Sequence, residues 1–282
     1  MKVRKKKKEQ EDPQKKLKRK KKLKRLLRWI KSLLITALLV TTLVYSALSP
    51  FFNIGRIVTK GSAHYNTDTL VAISGIREGE NGFRVLYRDP GRAYVLRFES
   101  AEEAILKSCP YVKDVKARFV LPDTVSIEIK EKEAAAILSM RGTSLLIDKE
   151  GYLLEITPDM SGLDLPVIKG ITLDAYQPGQ KLGIQEEVLS TAFKVYDAIE
   201  GIDATETEKL TPGVDYVDVA DLYNVSFSLD ERVEVNLGEA EDLHYKITAA
   251  KTIFTNNIKK NEKGKLDFSF NENPVFTPEN GG

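Results

Sequence analysis

Residues 32–52 of this chain read SLLITALLVTTLVYSALSPFF, and no charge falls between Lys31 and Arg56. As a helix, a run of about 20 such residues reaches across the roughly 30 Å hydrocarbon core of a bilayer. Past residue 53 the pattern becomes one of short alternating stretches. In 112–120, Val115, Ala117 and Phe119 fall on one side and Asp114, Lys116 and Arg118 on the other; in 124–130, Val125, Ile127 and Ile129 alternate with Ser126, Glu128 and Lys130. A period of two predicts strands, here joined by the turn Leu121-Pro122-Asp123.

The segment before this pair predicts a strand over 54–60 ending at Gly61, then a helix over 67–74 stopped by Gly75. A second helix is predicted to open at Ser100, because Ser100-Ala101-Glu102-Glu103 has capping-box spacing, and to end before Pro110. Between the helices, 81–86 is a candidate short strand, 88–92 a turn or mobile loop, and 94–98 an edge strand or surface segment. The order strand, helix, helix, strand, strand predicts a small sheet covered on one face by two helices.

From 134 onward the pattern meanders. Strands are predicted at 135–140, 144–147 and 152–156, with Asp148-Lys149-Glu150-Gly151 as a hairpin turn, and 165–170 crosses onward. A helix over 186–199 carries Val188, Ala192, Val195, Tyr196 and Ile199 on one face. Strands follow at 216–219, 223–229 and 233–237. A last helix, 241–258, aligns Leu243, Ile247, Ala250, Phe254 and Ile258. The final strand is expected at Leu266, Asp267, Phe268, Ser269 and Phe270, and 271–282, with Pro274, Pro278 and two closing glycines, is expected to fray. The fold class is therefore α+β: a basic tail (1–31), a transmembrane helix (32–52), a small α/β domain (53–131), a β-rich domain (132–270) and a tail (271–282).

Charge sets the orientation. The first 31 residues hold 17 lysines and arginines against three carboxylates, a net of +14; the whole chain is +2, so the remaining 251 residues carry −12. Positive charge beside a first spanning helix keeps that end in the cytoplasm, with Trp29 and Tyr45 near the two interfaces. This predicts a single-pass type II protein of the cell membrane with an acidic outer region. A cleaved signal peptide fits less well, since the basic region and the apolar run are both too long for one. A lysine tail of this kind can bind nucleic acid electrostatically, but beside a membrane helix attraction to anionic lipid is the better match. Cys109 is the one cysteine, so no intrachain disulfide is possible.

Candidate chemistry is sparse. His64 and His244 have no partner at metal-ligand spacing, Cys109 precedes Pro110 at a helix end, and the glycines of GIREGENG (75–82) lack the Lys-Ser/Thr of a phosphate loop. The expectation is a non-enzyme without cofactor or metal; the alternative is a membrane-anchored cell-wall enzyme or a peptidoglycan-binding module. Binding is expected at a sheet edge, where unpaired N–H and C=O groups can accept a partner's strand. Leu266 to Phe270, short and last in the chain, is the candidate.

The order of these parts resembles the FtsQ/DivIB family of bacterial division proteins. The first outer unit is similar to a POTRA domain in Phe52-Asn53-Ile54 leading to Gly61, in Tyr65 with the helix to Gly75-Ile76, in Gly79 to Phe83, in Pro110-Tyr111-Val112-Lys113, and in Leu121-Pro122-Asp123-Thr124-Val125. In the second, Ile147-Asp148-Lys149-Glu150-Gly151 and Leu165-Pro166-Val167-Ile168-Lys169-Gly170 match phrases of the family. The stretch 87–100 is longer than the family pattern. The resemblance implies a septal scaffold without catalytic activity that joins FtsB (DivIC in Gram-positive bacteria) and FtsL, and through them acts on the FtsW/FtsI peptidoglycan synthase. It also implies that a partner strand adds to the terminal strand, at Leu266, Asp267, Phe268, Ser269 and Phe270. A POTRA-bearing outer-membrane assembly factor is a third possibility, but neither repeated POTRA units nor a barrel is visible in the sequence.

Overall fold

The computed structural model describes residues 13–140, 142–158, 162–205, 209–269 and 273–279. Helix α1, Pro13–Ala47, opens it. Its part Lys21–Ala47 is long and apolar enough to cross a membrane, and none of it is buried. Thr41 and Thr42 turn their hydroxyls back to donate to the carbonyls of Ala37 and Leu38, so these polar groups are satisfied inside the helix. The helix stops five residues short of the expected end at 52. The reason is Pro50, whose ring pushes the preceding residue out of the helical region; Ser49 is extended (ψ 155°) and Pro50–Phe52 is a 3-10 turn. The uncharged helical stretch 32–47 then measures about 24 Å, so a full span draws in Trp29, Ile30 and the aliphatic stems of Arg28 and Lys31.

The chain divides into two compact units. The first takes in α1 through Val58, Ile76–Glu99 and Ala117–Ile127; the second holds Thr59–Gly75, Ser100–Lys116 and Glu128 onward. Strands β1 (Arg56–Lys60), β2 (Val112–Val120) and β3 (Thr124–Glu131) make a three-stranded sheet in the order β1-β3-β2.

In the first unit, the segment 81–86, expected as a strand, belongs to a helix. Asn81 accepts from the Arg84 amide at the N-terminus, while Phe83 and Leu86, three apart, lie on its inner side. This helix, α3 (Gly82–Arg88), follows α2 (Thr67–Ser74) of the second unit, which ends at Gly75 with φ +68° as expected. Phe83, Phe119 and Phe98 pack edge-on or tilted at 5.5 and 6.5 Å between centroids. Helix α4 spans Glu99–Ser108. It begins one residue before the expected start at Ser100.

In the second unit the carboxylate of Glu131 at the end of β3 ties down the loop after β1. It accepts from Ser62 Oγ (2.6 Å), from the Ala63 and His64 amides (3.1 Å each), and lies 3.1 Å from His64 Nδ1. Burial pushes this carboxyl up, but the four hydrogen bonds outweigh it and bring it down to about 2. His64 stacks on Tyr111 at 3.9 Å, and Tyr111 donates its hydroxyl to Glu155 at 2.9 Å.

The rest of the second unit is a nine-stranded sheet. Its strands are β4 (Ala136–Met140), β5 (Thr143–Ile147), β6 (Leu153–Thr157), β7 (Val167–Lys169), β8 (Val214–Asp218), β9 (Val225–Leu229), β10 (Val233–Gly238), β11 (Gly264–Asp267) and β12 (Val275–Pro278). They lie in the order β12-β11-β10-β9-β8-β7-β4-β5-β6. Helices α5 (Glu186–Asp203) and α6 (Leu243–Asn256) bury Ala192, Val195, Ile199, Ile247 and Ala250 in one core with Leu138, Ile168, Val217, Phe227, Val235 and Leu266. Asp203 and Lys251 join the two helices by a buried pair at 3.4 Å; Asp203 also accepts from the Leu210 and Thr211 amides and the Thr211 hydroxyl. Strand β12 corrects the expectation of a frayed tail, while residues 271, 272 and 280–282 lie outside the described residues.

Candidate functional site

Strand addition needs an edge, and the long sheet has two ends. At β6 the segment 179–181 covers part of the edge: Leu153 donates to Gln180 and its carbonyl accepts from Gly179. At the other end lies β12. The expected terminal strand is thus one place inward: it occupies Gly264–Asp267, between β10 (parallel) and β12 (antiparallel).

This changes the standing of each candidate residue. Leu266 and Phe268 send their side chains into the core and are 0 and 5 % exposed, so neither side chain is presented to a partner. Asp267 is half-buried and folds back on its own chain, accepting from the Ser269 amide (2.8 Å) and hydroxyl (2.6 Å) and from Asn236 Nδ2 (3.4 Å). Burial raises the Asp267 carboxyl, and these bonds, with the charge of Lys265, reverse that and leave it below its ordinary value. Phe270 lies outside the described residues.

The ladder shows which backbone groups point where. The amides of Gly264 and Phe268 donate to the Arg232 and Asn236 carbonyls on the β10 side. In an extended strand alternate residues point opposite ways, so Lys263, Lys265 and Asp267 offer their N–H and C=O toward β12. On β12, Glu279 donates to Lys263 (2.8 Å) in the register that pairs Lys265 with Thr277 and Asp267 with Val275. Thr277 and Val275 therefore face β11, and Phe276 and Pro278 face away.

The outward side of β12 is nearly devoid of donors. Phe276 contributes an N–H, Pro278 has none, and Pro274, next on that side by the same alternation, has none either. Two prolines four residues apart on one side are tolerated only where that side is not paired, and this even spacing was the sequence signal for an edge strand at 275–278. Hydrophobic patterning missed it because the strand is four residues long and mostly exposed. Phe276, opposite Leu266, is the one β12 side chain packed against the core. Gly264 makes room for it, since a Cβ there would stand 2.9 Å from the Phe276 ring and 2.3 Å from the Thr277 carbonyl oxygen.

Among the described residues, no group of three or more His, Cys, Asp or Glu is placed to hold a metal ion. Cys109 is buried, as expected of a small apolar residue.

Residues 52–132 match the family model described as "POTRA domain, FtsQ-type". The chain is similar to the "Cell division protein DivIB" of Clostridium acetobutylicum, with 27% identity over 228 residues, 81% of this chain and 84% of that protein. It is 26% identical to the "Cell division protein FtsQ" of Corynebacterium glutamicum over 204 residues, 72% of this chain and 79% of that one. A further DivIB, from Clostridium botulinum, is 25% identical over 228 residues, 80% of this chain and 82% of its own.

Proposed function

We infer that this chain, a member of the FtsQ/DivIB family of bacterial cell-division proteins, works in division as a membrane-anchored scaffold with no reaction of its own. Helix α1 is the anchor, its basic end in the cytoplasm and both outer units on the far side of the membrane, a single-pass type II arrangement supported by the charge asymmetry across the helix. Its partners are the coiled-coil membrane proteins FtsB or DivIC and FtsL, and through them the FtsW/FtsI synthase at the septum.

A partner engages the β11 end of the long sheet by adding a strand. The observation that carries this reading is the contrast between two ladders. The edge of β11 that faces β12 has donors and acceptors at Lys263, Lys265 and Asp267, closed by only four residues, whereas the outer edge of β12 has a single N–H, at Phe276. A partner's strand pairs fully with β11 only by taking the place of β12.

The scaffold role is tested in dividing cells by a fluorescent fusion of the full chain together with co-isolation of the coiled-coil partners. A midcell band and recovery of both partners are expected; diffuse membrane signal with neither partner recovered contradicts the reading.

A further inference from the structure

We propose that the basic and aromatic surface formed by residues 84–95 lies against the bilayer that α1 enters and binds the headgroups of anionic phospholipids. The proposal rests on α1 being a membrane helix, and beyond that on the first unit alone.

One side chain links the helix end to this surface. Asn81 donates through Nδ2 to the carbonyls of Ala47 (3.1 Å) and Ser49 (3.0 Å), where α1 ends, and accepts through Oδ1 from the Arg84 amide (3.1 Å), where α3 begins. The connection is reinforced by Phe52 edge-on to Phe83 at 5.1 Å, and by the Ile54 amide to Glu80 and the Gly79 amide to Ile54 at 2.8 and 2.7 Å. Tyr45, 82 % exposed, lies two residues before the end of α1, and tyrosine on a membrane helix settles at headgroup level. Helix α3 starts within hydrogen-bond reach of that end and is only about 10 Å long.

What α3 and the next turn present is suited to that place. Leu86 is buried, while Arg84, Tyr87 and Arg88, at i, i+3 and i+4, share the exposed face. Arg92, Tyr94 and Val95 follow, all exposed, and the two tyrosines are 86 and 84 % exposed. Residues 84–97 hold four arginines against one carboxylate, Asp89, in a chain whose 251 residues after the basic tail carry −12. Arg92 also pairs with Glu99 at 3.3 Å, so Arg84 and Arg88 carry the charge argument. Arginine can fork onto phosphate, and tyrosine suits the interface between hydrocarbon and water. A basic face held beside a bilayer is drawn to anionic lipid.

The test uses the full chain in nanodiscs of phosphatidylcholine alone or mixed equally with phosphatidylglycerol, reading hydrogen exchange at the amides of 84–97 with β9 as the internal control. Exchange is expected to slow several-fold with phosphatidylglycerol and to return to the phosphatidylcholine rate in R84Q/R88Q. Equal exchange in both lipids, slowing that survives R84Q/R88Q, or the same slowing by free glycerol phosphate in phosphatidylcholine discs each overturns the proposal. Failure of the chain to enter nanodiscs at all would instead refute the membrane reading of α1.

Discussion

Phe276 lies across Gly264, with its ring where a side chain at 264 would begin: a Cβ there would be 2.9 Å from the ring's Cζ. The last strand of the sheet is thus seated in a notch that exists because residue 264 has no side chain. Gly264→Val is expected to lift β12, losing about 1 to 2 kcal/mol, the order of one partly buried aromatic side chain. The amides of Val275 and Thr277, which face β11, then exchange faster while those of β9 do not. Unchanged exchange at Val275 and Thr277 would mean that the notch does not hold the strand.

Pro274 and Pro278 blunt the outer edge of β12. Replacing both with alanine restores two outward N–H groups beside that of Phe276 and makes an edge that can pair with a second copy. The double variant is expected to self-associate in sedimentation velocity at concentrations where the parent is monodisperse. Equal sedimentation of the two would assign the prolines no protective role.

Much of this was legible in the sequence, and the exceptions have physical causes. Strands β2 and β3 alternate over eight or nine residues, and α2 has a left-handed glycine to stop it, so their bounds were predicted almost to the residue. Segment 81–86 was misread because its short apolar pattern fits either period, and the deciding contact is the Asn81 cap. The terminal edge was misplaced for a different reason. Leu266 and Phe268 look like an amphipathic last strand, but only the pairing of Lys265 with Thr277 reveals that another strand lies outside them.

Asp203 and Lys251 are 6 and 7 % exposed and hold α5 to α6. Lys251→Met leaves the carboxylate its bonds from Leu210 and Thr211, whereas Asp203→Ala strips partners from the Leu210 amide, the Thr211 amide and hydroxyl and the Lys251 ammonium together. The first is expected to cost about 2 kcal/mol and the second about 3 to 5. Denaturant unfolding gives the order; a Lys251→Met loss equal to or larger than that of Asp203→Ala would contradict it.

Glu131 titrates lower in the folded protein, at about 2, than its ordinary value of 4.5. A depressed carboxyl gives stability that is fully present above pH 4.5 and lost as pH falls through 4.5 toward 2. The group is partly open to water, so the contribution is on the order of 1 to 2 kcal/mol. Thermal unfolding of Glu131→Gln should therefore lie below that of the parent at neutral pH and converge with it toward pH 2. A gap that stays constant across this range would show that the loop is held by something other than the ionised carboxylate.

Affinity for the outer segment of the coiled-coil partner tests the central claim most directly, measured on the full chain, on a chain ending at residue 273, and on Lys265→Pro. Proline at 265 removes a β11 donor that faces β12 and leaves the β10 ladder intact. If a partner strand takes the place of β12, removal of β12 keeps or tightens binding and Lys265→Pro weakens it at least tenfold. Loss of binding on removing β12, with Lys265→Pro binding as well as the parent, would place the partner on β12 or elsewhere and contradict the account.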